Sequence, residues 1–166
     1  MRLGQLRPTD RARLAEVLVA TGAFHADEIE VALSLFDLSS REGTSDYEFV
    51  GAFDAAERLI GYACFGPSPS TEGTYDLYWL AVDPAAQGRG AGRALVREVE
   101  RLLGARGARL LVAETSSRPD YAGTRAFYLA TGYAEAARVK DFYAPADDRI
   151  ILTTRLTTRD GGVATR

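Results

Sequence analysis

Between Asp83 and Leu95 the chain reads Asp-Pro-Ala-Ala-Gln-Gly-Arg-Gly-Ala-Gly-Arg-Ala-Leu, with glycine at every second position from Gly88 to Gly92. An apolar run, Tyr78-Trp79-Leu80-Ala81-Val82, precedes it, and an amphipathic helix is predicted to begin inside it. The chemistry such a segment can do is anion binding. Alternating glycines let consecutive backbone N–H groups crowd around an oxyanion, and the first helical turn adds unpaired donors and the positive end of its dipole. Two familiar phosphate loops are excluded by what the segment lacks. A P-loop requires Lys followed by Ser or Thr after its last glycine, whereas Gly92 is followed by Arg93-Ala94. A dinucleotide fingerprint started at Gly88 meets Arg93 at its third glycine, and started at Gly90 it meets Leu95.

The pattern Gln87-Gly88-Arg89-Gly90-Ala91-Gly92 resembles the acyl-CoA-binding motif of the GNAT N-acetyltransferase superfamily, Arg/Gln-x-x-Gly-x-Gly/Ala, at each of its defined positions, Gln87, Gly90 and Gly92. A second stretch, Thr124-Arg125-Ala126-Phe127-Tyr128-Leu129-Ala130-Thr131-Gly132-Tyr133, is similar to that family's later signature, a helix with Phe-Tyr followed by Gly-Phe or Gly-Tyr. The two occur in the family's order, and the resemblance covers nearly the whole chain. It implies an α/β fold (an α+β mixed sheet), with a central, mostly antiparallel sheet flanked by helices. It also implies a transferase that moves an acetyl group from acetyl-CoA, as co-substrate, to a primary amine of a small molecule, with no metal.

The resemblance further implies which residues act. The backbone of Leu80, Ala81 and Val82 would pair with the pantetheine arm. The amides of Gln87, Gly88, Arg89, Gly90, Ala91, Gly92 and Arg93 would take the pyrophosphate, with the Arg89 and Arg93 side chains adding charge. Tyr128 stands where the family places the tyrosine that hydrogen-bonds and protonates the departing sulfur. Glu114 is the first candidate for the base that deprotonates the amine, and Asp76 the second. Family members often carry asparagine seven residues before that tyrosine, a place held here by Tyr121. A CoA-binding sensor or structural protein on the same fold, without transferase activity, is the alternative.

Composition narrows the remaining classes. The 166 residues are expected to form a single domain over 1–156, with a polar, flexible tail at 157–166. A formal charge of −3 supplies no basic face, so no nucleic-acid partner is expected, and a cationic amine is the expected guest. No stretch approaches the length of a membrane span and the first residues carry no apolar signal core, so the expected setting is cytoplasmic, as a monomer or homodimer. A single cysteine, Cys64, and a single histidine, His25, provide neither a disulfide framework nor a nitrogen–sulfur metal cluster.

The elements that must position these residues follow from periodicity. Arg2 to Arg7 reads as a short strand. Thr9 is expected to cap a helix with Leu14, Val17 and Leu18 on one face and Gly22 as its stop. A second helix is expected near Asp27, with Asp27 and Glu30 as an acidic capping box and Ile29, Ala32, Leu33 and Phe36 turned inward. Tyr47 to Phe53 and Leu59 to Phe65 read as an antiparallel hairpin, and Tyr75 to Val82 as the strand feeding the glycine loop. The helix after the loop places Ala91, Ala94, Leu95, Val99 and Leu102 on one face. A Leu110 strand, a Thr124 helix ended by Gly132 and two closing runs, Ala134 to Val139 and Arg149 to Thr154, complete the order.

Overall fold

The computed structural model describes residues 1–40 and 46–157. Among the described residues, seven strands and four α-helices follow in the order β-α-α-β-β-β-α-β-α-β-β, as the sequence predicts. They fall into two compact units, Met1–Pro67 with Leu77–Val99, and Ser68–Asp76 with the described residues from Glu100 on.

In the first unit β1 (Arg2–Gln5), β2 (Glu48–Phe53), β3 (Leu59–Pro67) and the Leu77–Val82 part of β4 (Thr74–Val82) lie in that spatial order. The β2–β3 hairpin is antiparallel with Val50 opposite Ala63 and Gly51 opposite Tyr62. Its turn is tied by Asp54, whose carboxylate accepts from the amides of Ala56 and Arg58 at 2.9 and 3.0 Å. Close strand approach explains one glycine. A Cβ on Gly61 would stand 2.8 Å from the Ala81 carbonyl oxygen of β4.

Helix α1 (Arg11–Thr21) buries Leu14, Val17 and Leu18 and stops at Gly22, whose φ of +63° only glycine adopts without strain. Thr9 does not cap it. Thr9 lies inside a short 3-10 turn, Pro8–Asp10, and Asp10 holds the N-cap position of the helix. Helix α2 (Ala26–Ser39), by contrast, begins earlier than expected. Its N-cap is His25, whose amide donates to the Glu28 carboxylate at 2.8 Å, so the reciprocal pair is His25 and Glu28 rather than Asp27 and Glu30. The helices bury Leu14, Leu18 and Phe36 against Phe49, Phe53 and Tyr62. Phe36 meets Phe49 edge-on with centroids 5.3 Å apart, and Phe49 stacks on Tyr62 at 6.0 Å.

In the second unit β5 (Leu110–Ser116), β7 (Asp147–Arg155) and β6 (Ala134–Ala144) lie in that spatial order, so the last strand is the central one of the three. Both pairings are antiparallel. Alternation divides β5 and β7 into two faces. Leu111, Ala113, Ile150 and Leu152 are buried on one, and Glu114 and Arg149 lie on the other, where Glu114 is opposite Ile151 and Ser116 opposite Arg149. Strand β6 runs five residues further than the expected end at Val139, because Asp141, at φ +51°, starts a bulge that resumes pairing at Ala144. Helix α4 (Ala122–Ala130) follows a 3-10 turn and ends as Tyr133 and Thr131 donate to the Tyr128 carbonyl oxygen, each at 3.0 Å.

The expected tail lies, for 158–166, outside the described residues. No helix among the described residues is long and apolar enough to cross a membrane.

Candidate active site

The anion-binding segment belongs to the first unit, and its start is fixed by a network invisible in local sequence. Asp83 donates its amide to the Ile60 carbonyl at 2.9 Å, and its carboxylate accepts from the Ala85 amide at 2.9 Å. Arg13 of α1 closes the arrangement: Nε donates to the Leu59 carbonyl at 2.9 Å, Nη1 to Glu16 at 2.8 Å and Nη2 to Asp83. The Ala85 amide and then the Arg13 guanidinium hold the Asp83 carboxyl below the usual aspartate range. A short turn, Pro84–Ala86, follows, and Gln87 folds back so that its side-chain Nε2 donates to the Val82 carbonyl at 3.1 Å.

The loop then takes the conformation its glycines permit. Gly88 and Gly90 have φ of +73° and +84°, and a Cβ at either would meet nothing within 4 Å, so the demand is on backbone conformation rather than on space. Helix α3 (Ala91–Ala105) begins at once, its first bond running from the Ala94 amide to the Gly90 carbonyl at 2.9 Å. The amides of Ala91, Gly92 and Arg93 precede that bond and have no acceptor inside the helix. Gly92 is therefore a helical residue, not a third turn glycine. Arg89 and Arg93 are exposed and form no ion pair among the described residues. Free amides in a row, a helix dipole and two uncommitted guanidinium groups fit a pyrophosphate. Leu80, Ala81 and Val82 lead into the loop on β4, with Ala81 buried and the other two half-buried.

The two proposed acid–base residues lie in the second unit. Tyr128 of α4 is 5 % exposed, with ring centroids of Phe127 and Tyr133 at 5.3 and 5.1 Å. Burial pushes its phenol well above the ordinary tyrosine range, so it stays protonated through the neutral region. Glu114 of β5 is not free: Arg149 of β7 donates from Nη2 to its Oε1. The Arg149 guanidinium also covers the Phe142 ring at 4.7 Å. Tyr143 stands in the same neighbourhood. Burial first, then the Glu114 charge, raise its phenol, while Arg149 opposes the rise. Asp76, the second base candidate, accepts a hydrogen bond from the Ser68 hydroxyl in the turn before β4. Tyr121 sits at the start of α4, half-buried. His25 is exposed at a helix cap, and Cys64 is a buried core residue whose thiol burial pushes up. Arg13, Arg149, Phe142 and Tyr143 had no signal of their own in the sequence. Only pairing across β5, β6 and β7, or between α1 and the loop, brings them into play.

Residues 15–133 match the family described as the acetyltransferase (GNAT) family, a span that includes both the glycine loop and Tyr128. The chain belongs to the GNAT acetyltransferase family. A protein from Desulfovibrio desulfuricans assigned to the GNAT family is 42 % identical with a TM-score of 0.90, over 94 % of this chain and 99 % of that one. Mycothiol acetyltransferase from Amycolatopsis mediterranei is 32 % identical over 127 residues, 72 % of this chain and 42 % of that protein. A Salmonella typhimurium protein described as an acetyltransferase, solved with its cofactor acetyl-CoA, shares the fold at 20 % identity, with a TM-score of 0.74 over 99 % of each chain. The chain spans about two fifths of the length of the curated relatives it matches.

Proposed function

We propose that this GNAT-family chain is an N-acetyltransferase that moves the acetyl group of acetyl-CoA to the primary amine of a small molecule by direct attack in a ternary complex. The observation that carries the reading is the loop at Gly88 to Arg93, which combines two left-handed glycines, the α3 start with its unpaired amides and two exposed arginines in one short segment. Acetyl-CoA supplies an activated thioester. The amine nitrogen attacks its carbonyl carbon, a C–N bond forms, the C–S bond breaks, and the sulfur leaves with the electron pair. Leu80 to Val82 would hold the pantetheine arm by backbone hydrogen bonds, and the loop amides with Arg89 and Arg93 the pyrophosphate. Tyr128 would stabilise the thiolate through its hydroxyl, and Glu114 would receive the ammonium proton directly or through water. A cytoplasmic setting, a single domain over 1–156 and a monomer or homodimer go with this reading. So does the absence of a metal requirement, since the reaction needs only proximity and proton transfer.

A second reading, CoA binding without transfer, draws support from Glu114, whose carboxylate is already engaged by Arg149. One experiment separates them. The protein is incubated with acetyl-CoA and a panel of primary amines, and free thiol is followed. Amine-dependent thiol release at least about tenfold over the amine-free rate is expected; tight CoA binding with no amine-dependent release would leave the sensor reading standing.

A further inference from the structure

Glu114 and Arg149 are joined by one hydrogen bond. A guanidinium and a carboxylate in their best arrangement form two parallel hydrogen bonds. Here Arg149 Nη2 reaches Glu114 Oε1 alone, and among the described residues neither Glu114 Oε2 nor Arg149 Nη1 has a partner. Arg149 Nε is enclosed and without an acceptor. The Arg149 and Glu114 side chains are 28 % and 35 % exposed, so the pair is accessible. Its position does not depend on Glu114 alone, because Phe142 stacks on the guanidinium at 4.7 Å. A half-exposed ion pair of this kind contributes little to stability, on the order of 0–1 kcal/mol, so folding alone gives weak reason for it. Around it stand exposed apolar groups: Phe142 and Tyr143 at 49 % each and Val139, directly opposite Arg149, at 45 %.

We propose that Glu114 and Arg149 form a receptor for the zwitterionic end of the acceptor, the ammonium on the open oxygen of Glu114 and the carboxylate on the open Nη edge of Arg149, with an apolar side chain against Phe142 and Tyr143. The acceptor class is thus an α-amino acid with an apolar side chain. The four charges alternate in sign around a ring, so the guest adds to the existing ion pair without breaking it. A simple cationic amine would gain the contact to Glu114 but meet the like charge of Arg149 beside it. This rests on the transferase reading and names its substrate. In the reaction the ammonium first loses one proton to Glu114 or to water. Its nitrogen then forms the C–N bond as C–S breaks and sheds its second proton to solvent, and the CoA thiolate takes a proton from the Tyr128 hydroxyl, which solvent replenishes. The balance is ammonium plus acetyl-CoA giving acetamide, CoA thiol and one proton.

The test is a matched series of acceptors on the wild-type protein: L-phenylalanine, L-phenylalaninamide and 2-phenylethylamine. The expected kcat/KM for the amino acid exceeds that for either partner lacking the carboxylate by about 10- to 100-fold, the range of a hydrogen-bonded charge pair. In Arg149→Met that preference should collapse toward one, with Arg149→Lys, which keeps charge without the fork, in between. A wild-type preference at or below one, or a preference that Arg149→Met leaves intact, overturns the proposal. The wild-type series does not depend on the variants folding. If none of the three is turned over while another amine of the panel is, this proposal is overturned and the transferase reading stands; if no amine of the panel is turned over while CoA binds, the transferase reading fails, and NMR titration with L-phenylalanine in the presence of CoA decides the receptor separately: shifts at the Glu114 and Arg149 resonances support it, and their absence sinks it.

Discussion

At residue scale, Tyr128 shows how burial both suits a group for its task and limits it. A phenol pushed above its ordinary range near 10 remains a hydrogen-bond donor at every working pH, but it gives up its proton less readily. Its contribution is therefore strongest as charge builds on sulfur, when a hydrogen bond to a thiolate gains most. Tyr128→Phe is expected to lower kcat by about 100-fold or more with the KM for acetyl-CoA within about twofold, read by steady-state kinetics. The raised phenol also sets a pH expectation. Loss of its proton lies above the ordinary value, so the wild-type kcat should show no alkaline fall from this group below about pH 10. A fall that begins near pH 8 and vanishes in Tyr128→Phe would overturn that placement. Tyr128 was legible in the sequence because Phe127, Gly132 and Tyr133 accompany it in one short segment. Arg149 was not: it lies 35 residues from Glu114, and only the β5–β7 register brings the two together.

Elements divide along the same line between local and non-local causes. The glycine loop could be read because its requirement is conformational and internal. Gly88 and Gly90 do take left-handed φ, although Gly92 proves to be the first turn of α3. Two substitutions separate shape from charge there. Gly90→Ala adds only backbone strain in an open space, whereas Gly90→Asp adds the same strain and a negative charge where the phosphate is expected. Calorimetry should show CoA affinity falling in both, and at least about tenfold further in Gly90→Asp; equal losses would mean that no phosphate sits there. The α3 stripe was half right. Ala91, Leu95 and Val99 are buried, but so are Val96 and Leu103, widening the face the helix presents to its core. The shifted capping box of α2 has a local explanation, since Glu28 reaches the His25 amide and Glu30 is exposed. The central place of β7 has none, because nothing in the runs from Ala134 or Arg149 encodes which neighbour each strand will take.

On the scale of the whole chain, the charges that titrate with folding are concentrated in the first unit. Burial alone would raise the Asp10 carboxyl, but the hydrogen bonds from Arg7 outweigh it, and the group lies below the usual range. Asp83 lies below it through the Ala85 amide and Arg13. A carboxyl whose folded value is depressed stabilises the fold fully above its unfolded value of about 4, and that contribution is lost as pH falls through the folded value. Wild-type stability against urea should therefore hold from about pH 8 to 5 and decline below about pH 4. Asp10→Asn with Asp83→Asn should be less stable than wild type at neutral pH and decline less steeply below about pH 4, the two curves converging as the native carboxylates are protonated. Parallel curves across that range would mean that neither carboxyl is linked to folding. Because Asp83 also fixes the start of the glycine loop, the neutral-pH variant carries a second readout. If the Arg13–Asp83 contact orders the loop, Asp83→Asn alone should raise the KM for acetyl-CoA several-fold while kcat changes less than twofold, and an unchanged KM in a folded Asp83→Asn protein would confine that contact to stability.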